Sequence, residues 1–248
     1  MHCSKCGKQN SPKVSFCIDC GNQLKGGKID FDDSNKKYFT QSIVLFGIIV
    51  LIISASIRGI SQPLIVSEII FQSLFALVTI IFVLFDYKNF FKLFKLQLNL
   101  KPIIQIIVGA PVIAVLVVVL AHFINTLTDI PNSNYFDIFS SNTTNGYLYG
   151  LIFVSLLPGL VEEMLFRGIL FNHLLRFSRP KITILISSIL FSFIHFSVIS
   201  LPWLFSIGMI LGYFRFRYRT IWYGIFFHML YNASVFLIEP ILYQHIFH

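Results

Sequence analysis

Seven long apolar runs fix what this chain can become: 39–57, 64–85, 102–124, 147–175, 182–200, 201–214 and 220–238. About 20 apolar residues cross the hydrocarbon of a bilayer as a helix. Inside a bilayer the backbone must satisfy its own polar groups, which an α-helix does within one segment. The expectation is therefore an all-α fold, a polytopic transmembrane helical bundle of about seven to eight helices. The sixth run is short for a span. The fourth is long and holds Pro158-Gly159, which predicts a kink or a division into two helices. Charged residues make up 12% of the chain, against about 25% in soluble domains.

Basic residues orient the runs. Lys88, Lys92, Lys95 and Lys101 lie between the second and third, Arg176, Arg179 and Lys181 between the fourth and fifth, and Arg215, Arg217 and Arg219 between the sixth and seventh. The alternate connections are nearly free of them: 125–146 carries Asp129 and Asp137 and no Lys or Arg, and Arg58 is the exception. The positive-inside rule then puts the N-terminus in the cytoplasm and His248 outside. The net charge of +8 is thus accounted for at helix ends, and no nucleic-acid partner is expected. Lys88 to Lys101 interleave with Phe90, Phe91, Leu93, Phe94 and Leu96, which predicts an amphipathic segment on the inner leaflet. No charged stub followed by an apolar stretch opens the chain, so its first residues are expected to be retained.

All four cysteines fall in the first twenty residues, as Cys3-Ser-Lys-Cys6-Gly7 and Cys17-Ile-Asp-Cys20-Gly21. Two C-x-x-C knuckles at this separation have the spacing of a tetrahedral, structural Zn²⁺ site. A glycine after each second cysteine suits the tight turn that aims backbone amides at thiolates. A segment this short cannot bury a core, so the metal would supply its folding energy. The competing reading is a pair of disulfides, which would need an oxidising compartment. The segment resembles the short zinc-ribbons at the N-termini of many bacterial membrane proteins. The resulting organisation is a zinc-ribbon at 1–22, a polar linker at 23–38, N-terminal transmembrane helices at 39–140 and a second transmembrane region at 141–240.

Six polar residues interrupt the apolar runs of that last region: Glu162, Glu163, Arg167, His195, His228 and Asn232. An ionisable group there costs roughly 2.5–3.5 kcal/mol on insertion scales, so it calls for a partner or a purpose. Glu163 and Arg167 are four apart and share a helix face, so they can pair. Glu162 points about 100° away and is left available. A desolvated carboxylate of this kind suits a general base. The plainer alternative is a single ion network at a cytoplasmic helix end, with Arg167 snorkelling. Phe191 stands one turn before His195 and is placed to restrict its rotamer, although a histidine on an apolar helix is also often a core residue bonded to a carbonyl. His228 and Asn232 share a face and can both donate to a developing oxyanion, or they can clamp two helices together.

Taken in order, Glu162-Glu163-x-x-x-Arg167, Phe191-x-x-x-His195 and His228-x-x-x-Asn232 resemble the motifs of the CPBP family (CAAX prenyl protease and bacteriocin-processing, or Abi, proteins) of intramembrane proteases. The resemblance covers about residues 145–240. It implies a peptide-bond hydrolase whose site opens to the cytoplasm, with Glu162 and His195 activating water. His228 and Asn232 would stabilise the oxyanion, and Glu163 and Arg167 would be mainly architectural. The substrate would be a membrane-associated peptide, prenylated or leader-type, in a bacterial cell membrane. Two His and a Glu are also zinc-ligand types, so a catalytic metal stays open. The chain lacks the single-helix H-E-x-x-H spacing, and hydrogen-bond roles account for the residues without metal. Two other classes compete: a non-enzymatic membrane scaffold or sensor whose zinc-ribbon binds a cytoplasmic partner, and a proton-coupled transporter. The absence of an internal repeat counts against the transporter.

Overall fold

The computed structural model describes residues 1–10, 16–17, 22–24, 33–58, 64–95, 99–128, 139 and 145–245; Cys20 and Gly21 lie outside these described residues. Helices supply every long element. They are α1 (Asp33–Arg58), α2 (Leu64–Phe85), α3 (Tyr87–Phe90) with a 3₁₀ turn (Phe91–Phe94), α4 (Leu100–Thr128), α5 (Gly146–Phe177), α6 (Pro180–Phe193), α7 (Leu201–Tyr218) and α8 (Trp222–His245). The expected all-α membrane bundle is found. Among the described residues, five helices (α1, α2, α4, α5 and α8) are long and apolar enough to cross a membrane, and α6 is a shorter apolar helix. The fifth run was expected to continue to residue 200, but α6 stops at Phe193, and Phe196 takes a left-handed φ of +48°. The sixth extends beyond residue 214, so Arg215 and Arg217 belong to α7 and not to a loop.

α1, α2 and α4 each turn one stripe inward and leave large apolar side chains exposed on their other faces, as a lipid solvent allows. On α4 the stripe is Ile106, Ala110, Ala114 and Val118, four apart and therefore on one face. Its two alanines let the α8 backbone come close, which is how membrane helices gain packing energy. On α1 the stripe is Ser42, Leu45, Ile49 and Ile53; on α2 it is Gln72, Phe75, Thr79 and Phe82. These two faces close over α5, which also touches α6, α7 and α8. α5 is therefore the hub of the bundle.

Several side chains fasten the hub at one end. Ser42 Oγ lies 3.3 Å from His173 Nδ1, tying α1 to α5, so His173 holds a neighbouring helix and does not simply cap its own. Arg176 stacks on the Tyr38 ring at 3.6 Å. The segment expected on the inner leaflet is half docked: Phe90 and Leu93 are buried, while Phe91 is exposed. Thr220 Oγ1 and the Ile221 N–H both donate to Leu93 O, at 3.0 and 3.2 Å, and Trp222 Nε1 donates to Phe94 O at 2.9 Å. The start of α8 is thereby stitched to this basic segment. The N-terminal module reaches the same bundle through Phe16, whose ring centre lies 5.7 Å from the Arg179 guanidinium.

Candidate active site

α5 does not break at Pro158-Gly159. Two π-helical segments, Leu151–Leu156 and Met164–Leu170, flank the regular turns Leu157–Glu163. Such widened turns shift register without ending a helix, and they recur at functional sites. Pro158 has no N–H to offer the carbonyl of Val154, four residues back. Asn232 Nδ2 of α8 donates to that carbonyl instead, at 3.0 Å. Ser155 Oγ adds a bond to Met229 O at 2.7 Å. Gly159 allows the close crossing: a β-carbon there would lie 2.6 Å from Met229 Cγ. The helix thus stays continuous because α8 replaces what proline removes.

The glutamates sit on the turns between the two widened segments. Arg167 Nη1 donates to Glu163 Oε1 at 2.7 Å, and both side chains are wholly buried. Arg167 Nη2 donates to Gly208 O of α7 at 3.2 Å, and the guanidinium lies 4.5 Å from the centre of the Phe191 ring of α6. Three helices therefore converge on one cation. His228 of α8 stands between the two carboxylates, with Nδ1 3.3 Å from Glu163 Oε1 and Nε2 4.0 Å from Glu162 Oε2. A carboxylate only accepts, so Nδ1 carries the hydrogen and Nε2 faces Glu162. Gly224, one turn earlier on α8, makes room for the pair: a β-carbon there would lie 2.6 Å from Glu163 Oε2.

His195 follows α6 directly. Its Nδ1 donates to Phe191 O at 2.9 Å, which leaves Nε2 as the acceptor nitrogen. His195 is exposed, whereas Phe191 and His228 are buried. Glu162, His228 and Arg167 are near enough to act on it electrostatically. The left-handed Phe196 turns the chain away immediately afterwards. Phe191 is the shared wall, with ring centres 5.1 Å from His195, 5.7 Å from His228 and 5.4 Å from Phe166. Glu162, Glu163, Arg167, Phe191, His195 and His228 are thus gathered together. The amide of Asn232, one turn beyond His228, is engaged with Val154.

Residues 143–234 match the family model described as type II CAAX prenyl endopeptidase Rce1-like. They form an Rce1-like domain. No curated protein and no solved structure matches the chain. The matched stretch contains every polar residue of the constellation, while α1, α2, α4 and the cysteines lie outside it. The family supports the class of activity, a CAAX-type membrane protease, and the apolar helices make the protein integral to a membrane.

The Rce1-like domain has two further polar neighbours that the sequence reading passed over. Glu68 of α2 accepts from Gln72 Nε2 at 3.0 Å and is close enough to Glu162 for the two charges to interact. Its position inside the run 64–85 was the available signal. Arg215, counted above as an orienting charge, is buried and donates from Nε to Arg167 O at 2.9 Å. Among the described residues, only Cys3, Cys6 and Cys17 bring three potential metal-ligating atoms within 4.8 Å of one another. Cys6 Sγ and Cys17 Sγ are 3.5 Å apart, near the roughly 3.8 Å edge of a tetrahedron with Zn–S bonds of about 2.3 Å. Gly7 takes φ +69°, as the knuckle turn requires. Cys20, the fourth expected ligand, falls outside the described residues. Glu162, His195 and His228 are not gathered so tightly, so no step below is routed through a metal.

Proposed function

We propose that the Rce1-like domain is a glutamate-dependent intramembrane endopeptidase. The observation that carries this reading is the asymmetry of the two glutamates. Both Oε2 atoms are buried without a hydrogen-bond partner, but Glu163 is held through Oε1 by Arg167 and His228, whereas Glu162 has no such anchor and its Oε2 lies 4.0 Å from His228 Nε2. That distance is too long for a direct bond and fits a water oxygen held by both groups. Glu162, assisted by His195 Nε2, takes a proton from this water as its oxygen adds to the scissile carbonyl. His228, in its doubly protonated form with Glu163 beside it, donates to the oxyanion. Asn232 adds the amide hydrogen that Val154 does not use. When the intermediate collapses, the C–N bond breaks and the leaving amine takes the proton from Glu162. Glu163, Arg167 and Phe191 hold His228 and His195 in place.

A fluorogenic farnesylated CAAX peptide tests this reading. Glu162→Gln should lower kcat by about 10²–10⁴-fold, the usual contribution of a general base, with the thermal unfolding midpoint unchanged. Turnover at the wild-type rate would sink the assignment. In this reading the substrate is a membrane-associated peptide, prenyl- or leader-type. The cell membrane is bacterial, where leader processing or bacteriocin immunity gives such an enzyme a use. The N-terminus is cytoplasmic, in keeping with the basic segments that the Leu93 and Phe16 contacts tie to the helix ends. Cys3, Cys6, Cys17 and Cys20 hold one structural Zn²⁺ in a ribbon that presents a surface to a cytoplasmic protein. Metal analysis of the purified chain should find about one zinc, lost in Cys3→Ser with proteolysis retained; full zinc in that variant would remove the ribbon.

A further inference from the structure

We propose that Arg215 is a positioning residue that holds the π-helical segment of α5 directly after the two glutamates, Met164–Leu170, in its register. In the segment Met164–Leu170 the Phe171 N–H reaches back to Phe166 O and not to Arg167 O, its ordinary partner four residues back. The carbonyl of Arg167 is therefore open to another donor. Arg215 Nε supplies one at 2.9 Å, its Nη2 donates to Asn172 Oδ1 at 2.5 Å, and the guanidinium lies over the Phe171 ring at 5.6 Å. The contact is reciprocal. Arg167 donates to Gly208 O of α7, and Arg215, seven residues further along α7, donates back to Arg167 O. Seven residues make about two turns, so both points lie on one face of α7.

The same logic operates on the other side of the glutamates. Val154, which Pro158 cannot serve, is served by Asn232. A side chain from α7 and one from α8 thus serve a backbone carbonyl on either side of Glu162-Glu163. If Arg167 O returned to an ordinary helical bond, the residues from Met164 to Leu170 would rewind by about one position, or about 100°. Arg167 would then turn relative to Gly208 O of α7 and the Phe191 ring of α6, the contacts from outside α5 that hold its guanidinium against Glu163. Arg215 touches neither glutamate, so its effect passes through the backbone of α5.

The catalytic consequence rests on the proposed endopeptidase activity; the register does not. The full-length protein, in detergent or nanodiscs, is compared with Arg215→Met and Arg215→Lys. In Arg215→Met, amide hydrogen exchange over 164–171 should rise at least about tenfold while α4 is unchanged, as local opening predicts. On the farnesylated CAAX peptide, kcat should fall at least about tenfold with KM within about twofold, the signature of lost alignment and not of lost binding. Arg215→Lys, which keeps one donor near the carbonyl, should recover part of both. If Arg215→Met does not fold, Arg215→Lys and Asn172→Ala carry the test, each with a smaller rise in exchange over the same residues. Exchange unchanged over 164–171, or raised equally in every helix, overturns the proposal, as does a lysine variant no better than methionine. Glu162→Gln separates the two ideas. If it turns over at the wild-type rate the endopeptidase reading fails, and the exchange result still decides the role of Arg215.

Discussion

α4 and α5 are the two longest candidate spans, at 29 and 32 residues, and each contains a proline, yet they meet the membrane in opposite ways. α4 is the more apolar of the two and mostly exposed, whereas α5 is less apolar and about twice as buried. α4 faces lipid, and its side chains are chosen by lipid. Pro111 sits in an otherwise regular helix, and burial is confined to one stripe centred on Ala110 and Ala114. α5 is enclosed by five other helices, so its polar groups answer to neighbours and not to hydrocarbon. It can therefore hold Glu162, Glu163 and Arg167, and its proline comes with a partner from α8. A membrane helix can carry charged side chains here by being surrounded, and each π segment has a side-chain donor from a neighbouring helix.

The contrast predicts a graded response. Loss of turnover in Glu162→Gln stands at the top. Next comes Arg167→Met, which leaves Glu163 buried at 0% exposure without its cation. Removing one partner of a buried pair costs about 3–5 kcal/mol. Thermal or denaturant unfolding in a fixed detergent should show a loss of that order. A loss below about 1 kcal/mol would mean that α5 tolerates charge without pairing, and the contrast with α4 would collapse.

Asn232→Ala probes the repair of proline in α5. It leaves Val154 O without the side-chain donor that Pro158 cannot replace. An unsatisfied buried acceptor costs about 1–3 kcal/mol. If Asn232 also stabilises the oxyanion, kcat should fall by about 10²–10³-fold beyond what unfolding explains. A stability loss with kcat intact would make Asn232 a brace alone and would leave the oxyanion to His228.

The parts of this architecture that were legible in the sequence are those set locally. Hydropathy marked the runs, because the solvent for α1, α2 and α4 is lipid along most of their length. The four-residue spacing announced the Glu163–Arg167 pair, because both residues belong to one helix. What stayed hidden depends on a second helix. The π segments of α5 have no local signature, since donors such as Arg215 and Asn232 lie some 50 to 80 residues away in the chain. Arg215 itself looked like an orienting charge, as Arg217 and Arg219 do, because burial cannot be read from an arginine at a helix end. His228 and Asn232 share a face as their spacing requires, yet α5 runs past that face, so one meets the glutamates and the other a carbonyl two turns away.

The smallest effect is expected where the contrast is purest. Leu116 of α4 is 63% exposed in the bundle and so faces lipid. Trimming it to alanine removes contacts with acyl chains in the folded protein and in the membrane-inserted unfolded state alike. Neither a cavity nor an unpaired polar group is created. Leu116→Ala should therefore shift stability by no more than about 0.5 kcal/mol, as surface substitutions do. Ala114→Leu on the opposite face of the same helix should cost about 1–3 kcal/mol by overpacking, because Ala114 is wholly buried in the cluster that also holds Phe227 and Tyr231 of α8. Unfolding of the two variants under one set of conditions measures the asymmetry of α4 directly. Equal costs would mean that a further surface covers Leu116, and α4 would then be an enclosed helix like α5.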